Sequence, residues 1–260
     1  MNNYNFDTLM AMLDSKRPLD NVTAENLQAH FNLKYNQSSN AIEGNQLTLN
    51  ETRVLLEKGI TAKGKPFKDH LDIINHKSAI DYLMDIVRKN ETLSEKNILE
   101  FNYLLLKGTK DEYYAGKIRN APVTIEGSEH IPPQPYLVQS RLDNMIITYN
   151  DRIANANNDE KINLIANLHA EFVNIHPFTD GNGRTGRLLM NFELLKHGYP
   201  LSIIPDSERM EYYEALSEYD KGNPVSIQRF IKNSVQSTLC ETLNIIYPDW
   251  EKEYPEFKKR

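Results

Sequence analysis

Apolar residues recur at helical spacing along most of the chain. Leu27, Phe31 and Tyr35 stand four residues apart, an apolar stripe on a helix predicted to run towards Ser39. Ile162, Ile165, Ala166, His169, Phe172 and Val173 make a second stripe that ends before His176. Thr48-x-x-Glu51 and Thr92-x-x-Glu95 have capping-box spacing, and each is expected to start a helix. Another helix is expected from near Gly183 to Lys196-His197-Gly198, where cations and a glycine suit a C-terminus. Ser207 is placed to cap the next helix, and Pro224 suits the first turn of the last. The helical pattern breaks between Gly116 and Pro135, which hold Pro122, Pro132 and Pro133. There Val123-Thr124-Ile125 alternates as a short strand and Glu126-Gly127-Ser128 offers turn chemistry. The expected fold is all-α with a small β-hairpin on its surface; a plain connecting loop is the competing reading of the hairpin. No internal repeat, low-complexity tract or long linker interrupts the pattern.

Composition then narrows the setting. The 260 residues suit one large domain, and 40% hydrophobic with 25% charged residues is ordinary for a globular chain. No apolar run reaches bilayer length, and the start MNNYNFDTLM lacks signal-peptide character. The expectation is a cytoplasmic protein with no membrane contact, whose sequons at Asn21, Asn36, Asn50 and Asn90 are chance. The single cysteine, Cys240, excludes an internal disulfide and is expected to be a buried structural thiol. A net charge of −6 speaks against a broad nucleic-acid-binding surface.

The chemistry concentrates in His176-Pro177-Phe178-Thr179-Asp180-Gly181-Asn182-Gly183-Arg184-Thr185-Gly186-Arg187. A helix ends at a histidine, a glycine-rich loop follows, and a helix starts at once. Gly181 and Gly183 permit positive φ, so successive N–H groups can face one concavity, to which the new helix adds its own N–H groups and dipole. Asn182 can donate a side-chain amide there. Arg184 and Arg187, three residues apart, share a helix face and suit a polyphosphate. Asp180 offers the hard oxygen that magnesium prefers, and His176 can take a proton near neutral pH. Taken singly, each residue reads more readily as structure: a helix-end histidine, solvated arginines, a plain Gly-Asn-Gly turn. Their density within twelve residues favours one anion site.

These residues resemble the signature of the Fic family, His-x-Phe-x-(Asp/Glu)-Gly-Asn-Gly-Arg-x-x-Arg, at every specified position. The resemblance covers about residues 90 to 235. It implies the all-helical Fic core with a β-hairpin flap at about 116–135, and transfer of AMP from ATP to a Ser, Thr or Tyr hydroxyl of a protein. By resemblance His176 is the general base, Asp180 holds Mg²⁺ (with Mn²⁺ as a substitute), and Gly181, Asn182 and Gly183 form the anion hole. Arg184 then contacts the phosphates, Arg187 holds the γ-phosphate, and Phe178 packs the loop down. Tyr213 is similar to the family's adenine-pocket residue, while Asp220 replaces an asparagine of some relatives. Gly127, Ser128, Glu129 and His130 of the flap are expected to bind an unidentified protein target as an added strand. Automodification and a homo-oligomer are left open.

A second motif lies upstream. Ser39 and Glu43 share one helix face, and Gly44 then ends the helix; a glutamate in a last helical turn faces the negative end of the dipole unless a cation compensates. By itself this is a polar helix end. Beside the signature it resembles the family's inhibitory Ser/Thr-x-x-x-Glu-Gly/Asn motif, which implies that Glu43 pairs with Arg187 and restrains transfer. Some members of that subgroup also remove AMP. Residues 1–90 are thus expected to be an N-terminal helical region carrying the inhibitory motif, and 91–260 the catalytic core. Gly59 to Pro66 comes close to a P-loop but has Pro66 where a Ser/Thr hydroxyl would hold Mg²⁺. The competing functions are Fic-type transfer of UMP, or of a phosphoryl group, the latter opposed by Gly181 and Arg187, and a non-catalytic binding module.

Overall fold

The computed structural model describes residues 4–125 and 127–257. Its elements are helical: α1 (Phe6–Asp14), α2 (Asn21–Ile42), α3 (Leu49–Lys58), α4 (Phe67–Arg88), α5 (Glu95–Leu106), α6 (Pro135–Asn155), α7 (Asn158–Ile175), α8 (Asn182–Lys196), α9 (Arg209–Asp220), α10 (Val225–Ile246) and α11 (Trp250–Phe257). Short 3₁₀ turns at Glu112–Tyr114 and Asp206–Glu208 complete them. One core runs from Phe6 and Leu9 to Trp250 and Tyr254, so the first ninety residues pack onto the rest. No described helix is long and apolar enough to cross a membrane.

The apolar stripes do what their spacing predicts. Leu27, Phe31 and Tyr35 bury one face of α2, and Ile162, Ile165, Ala166, His169 and Phe172 bury that of α7. At the centre lies α8, which packs against α7, α5, α4 and α2 and is buried at every position from Thr185 to Leu194. A helix buried all round is usually apolar all round. This one carries polar side chains, so each needs a partner. Asn191 exchanges two hydrogen bonds with the Ser202 backbone, and Glu193 accepts from the Tyr149 hydroxyl at 2.7 Å. The two arginines find their partners on α2 and α4.

Several helix boundaries differ from expectation. Thr48 and Glu51 do form the capping box of α3. The box of α5 is Ser94 with Asn97, not Thr92 with Glu95. Starting at Glu95 puts Leu93 and Ile98 at hydrophobic-staple spacing, and both are in the core. Ser207 caps nothing; it sits inside the 3₁₀ turn that leads into α9. Pro224 occupies the residue just before α10, and α10 is followed by α11. Cys240 is half-buried at the edge of the core, its thiol pushed up by burial. Gly59 to Pro66 simply joins α3 to α4.

The expected hairpin carries no strand among the described residues; Glu126 of its turn lies outside them. Pro122, Pro132 and Pro133 remove ladder donors. Arg119 takes two of the acceptors, donating from Nη1 to the Ala121 carbonyl (3.1 Å) and from Nη2 to the Pro133 carbonyl (2.6 Å). The segment is an open loop with Ser128 N–H on the Ile125 carbonyl (3.1 Å) and His130 Nε2 at 2.9 Å from the Asn174 carbonyl.

Candidate active site

Residues 176 to 187 form a tight turn from α7 to α8. His176 closes α7 in a left-handed conformation (φ 50°, ψ 61°), which a non-glycine residue adopts at a cost of about 1–2 kcal/mol. Its Nδ1 lies 3.3 Å from the Val173 carbonyl. A carbonyl only accepts, so Nδ1 carries the proton and Nε2 keeps its lone pair. Burial pushes the imidazole down to about 4; the Val173 carbonyl opposes this and the Arg119 cation adds to it. The ring is therefore neutral at pH 7 and able to accept a proton.

Phe178 is fully buried beside Phe172, which presses the loop onto α7. Asn182 is turned inward: its amide donates to the Phe178 carbonyl (2.8 Å) and its oxygen accepts from the Phe178 N–H (2.9 Å). Those bonds staple the turn shut and commit one of the amide's two N–H groups to the loop itself. Asn102 of α5 braces the outer side, donating to the Asp180 carbonyl (2.9 Å) and accepting from the Gly116 N–H (3.0 Å). Gly181 has the positive φ (79°) that the turn requires. Gly183 is helical, and a Cβ there would collide with Glu43 Oε1 unless that carboxylate moved.

The N–H groups of Asn182, Gly183 and Arg184 open α8 and have no intrahelical acceptor. The Glu43 carboxylate, from the C-terminal end of α2, sits over this helix start. Its Oε1 accepts from Arg187 Nη2 at 2.8 Å. Arg187 is 2% exposed and also donates from Nε to Ser39 Oγ (3.0 Å) and from Nη2 to the Ser39 carbonyl (2.8 Å). Burial alone would raise the Glu43 carboxyl, but Arg187 and Arg184 outweigh it and hold the group below its usual range. Arg184 is gripped too: Nη1 meets Asp72 Oδ1 of α4 at 2.9 Å, both side chains being buried. Asp180 points outward, its side chain 45% exposed, with Oδ1 on the Gly181 N–H (2.6 Å).

The remaining expected residues lie around the mouth. Tyr213, on α9, is exposed, with Arg209 5.4 Å above its ring. Asp220 accepts from Asn174 Nδ2 at 2.8 Å and lies 3.9 Å from His130. Gly127, Ser128 and Glu129 are exposed. Asp72, Asn102 and Arg119 went unread in the sequence, because each reaches the loop from another element and belongs to no local motif.

Three histidines, His76 and His169 buried and His176 partly so, make stability pH-dependent. Burial drives His169 and His176 each to about 4 and His76 well below its ordinary value. The unfolded chain takes up these protons near pH ~6.5 while the folded one does not, so the unfolded state binds more protons in between. Stability is expected to fall steadily as pH drops from about 6.5 towards about 4. Urea midpoints across that window check it; a midpoint constant down to about pH 4.5 would contradict the assignment.

With this geometry stand the likenesses to known proteins. The sequence matches the model of the Fic/DOC family over residues 92–194. The chain belongs to that family. A curated "Protein adenylyltransferase Fic" of Nematostella vectensis is 34% identical over 226 residues, which are 85% of this chain and 51% of that protein. One of the same name from Drosophila grimshawi is 35% identical over 237 residues, 90% of this chain and 46% of its own length. The chain thus spans about half the length of the curated relatives it matches. The solved Fic-1 of C. elegans superposes with a TM-score of 0.83 at 27% identity, covering 94% of this chain and 72% of that one.

Proposed function

We propose that the chain transfers AMP from ATP to a Ser, Thr or Tyr hydroxyl of a protein, and that Glu43 restrains the transfer. The observation that carries this reading is the carboxylate seated on Arg187 over Gly183: the turn into α8 holds an anion, one residue cluster away from a neutral histidine. The relatives named protein adenylyltransferase supply the identity of the transferred group.

In the reaction the acceptor hydroxyl loses its proton to His176 Nε2 as its oxygen bonds to the α-phosphorus. The bond from that phosphorus to the bridging oxygen breaks, and pyrophosphate leaves. The N–H groups at the start of α8, with Arg184 and Arg187, bind phosphate oxygens and spread the charge that develops there. Arg187 reaches the γ-phosphate only after releasing Glu43, so residues 1–90 regulate the core at 91–260. Tyr213 flanks the base of the nucleotide. The loop around Gly127 to His130 offers backbone to the target chain.

Among the described residues no cluster of three histidine, cysteine or acidic side chains could cage a metal. The donor set still fits Mg²⁺, which is commonly held by one carboxylate together with nucleotide phosphates and water; Asp180 is that half-exposed carboxylate. When bound, the ion neutralises phosphate charge. Transfer is accordingly expected to require Mg²⁺ or Mn²⁺, and Asp180→Ala to remain nearly inactive at any magnesium concentration. Incorporation of labelled AMP in excess chelator would rule out the metal assignment.

A further inference from the structure

We propose that Arg119 is a positioning residue for the transfer, locking the end of α7, and with it His176, to both feet of the loop that faces the target. This rests on the reading of His176 as the base. The Arg119 side chain is buried, and among the described residues its guanidinium donates to four main-chain carbonyls. Nε donates to His176 O at 2.7 Å and Nη2 to Ile175 O at 3.4 Å. Nη1 donates to Ala121 O and Nη2 to Pro133 O, one on each side of the loop. The Arg119 N–H adds a bond to Pro177 O at 2.9 Å.

A cation buried without a carboxylate at hand is costly to desolvate. Its place at the C-terminal end of α7 offsets part of that cost, since Ile175 and His176 carry last-turn carbonyls at the negative end of the helix dipole. An apolar side chain would fill the space equally well but would leave four carbonyls to find other donors. A lysine would supply the charge but not the planar fork, and one ammonium cannot bond α7 and both feet of the loop together. The arrangement has a consequence for catalysis. His176 is held in a left-handed conformation, so the direction of its ring follows from where its carbonyl is fixed. Fixing that carbonyl and the loop to one rigid group sets the distance between Nε2 and a hydroxyl presented by a chain lying along the loop. Misplacement by about 1 Å is enough to cost about 10²-fold in rate.

The test uses the full chain with Glu43→Gly, compared with the same chain carrying Arg119→Ala or Arg119→Lys. Automodification with labelled ATP gives the rate, ATP titration gives KM, and hydrogen exchange reports residues 119–134 and 176–181. Arg119→Ala is expected to lower kcat by about 10²-fold with KM for ATP changed by less than about threefold. Free guanidinium ion is expected to restore much of the loss, and to do nothing for His176→Ala. Arg119→Lys, which keeps the charge and the fold, is expected to stay at least about tenfold below the parent. Exchange should rise in both segments together, with α10 unchanged. Arg119→Lys at parental activity would overturn the proposal, as would exchange rising in one segment only. If the parent itself transfers no AMP, the functional reading fails, and the paired exchange response still decides the role of Arg119.

Discussion

His176→Ala is expected to lower AMP transfer by about 10²–10⁴-fold while ATP binding stays within about twofold. The magnitude follows from the work assigned to the ring. Its Nε2 lone pair is the only part of the residue not committed to the fold, since Nδ1 faces the Val173 carbonyl and the backbone caps α7. Removing the imidazole takes away the proton acceptor and leaves the phosphate site, built from α8 and its arginines, in place. The two measurements should therefore separate. A variant that transfers at the parental rate would exclude His176 as base, and one that loses ATP binding in parallel would make it a structural residue. Because burial holds the imidazole at about 4, the base should also stay unprotonated through the neutral range, and transfer should show no inflection from it between about pH 6 and 8.

Glu43→Gly is expected to raise transfer by about 5–150-fold, the range of a coupling worth one to three kcal/mol. Arg187 commits Nε and Nη2 to the Ser39 hydroxyl, the Ser39 carbonyl and the Glu43 carboxylate. Taking the carboxylate away uncovers the start of α8 and gives the guanidinium a reason to bind the γ-phosphate. The same change leaves a buried cation unpaired, so the variant should be less stable than the parent without nucleotide and should gain more from added ATP. Activity and stability then move in opposite directions, which an ordinary helix-end substitution does not do. Adding Arg187→Ala should return transfer to a low level, since both changes act on one interaction. A Glu43→Gly protein no more active than the parent would leave Ser39 to Gly44 as a polar helix end.

How much of this was legible in the sequence depends on the range of the interaction. The helices that build the centre were readable because Leu27 to Tyr35 and Ile162 to Phe172 repeat with the period of the helix itself. The turn from His176 to Arg187 was readable because its chemistry is packed into adjacent residues. Local signals in competition were harder to separate: Thr92-Glu95 and Ser94-Asn97 overlap, and the burial of Leu93 chose between them. The strand expected at Val123 to Ile125 was overridden by prolines and by a guanidinium taking the ladder's acceptors. Asn182 has a structural role that its place in the motif does not show. A side chain beside an anion site also has a loop to hold together, and here Asn182 gives its oxygen and one N–H to the backbone of Phe178. Asp72, Asn102 and Arg119 lie far along the chain from the groups they hold, and pairings of that range leave no periodic trace.

AMP, and no other part of ATP, should end on a protein hydroxyl, and position-specific labelling decides this. The Glu43→Gly chain is incubated with Mg²⁺ and ATP labelled either at the α- or at the γ-phosphate, and the protein is then separated and counted. Label from the α-position should stay with the protein, label from the γ-position should leave as pyrophosphate, and neither should be retained when His176→Ala is added. Retention of γ-label, or of neither label by the Glu43→Gly chain, would contradict it.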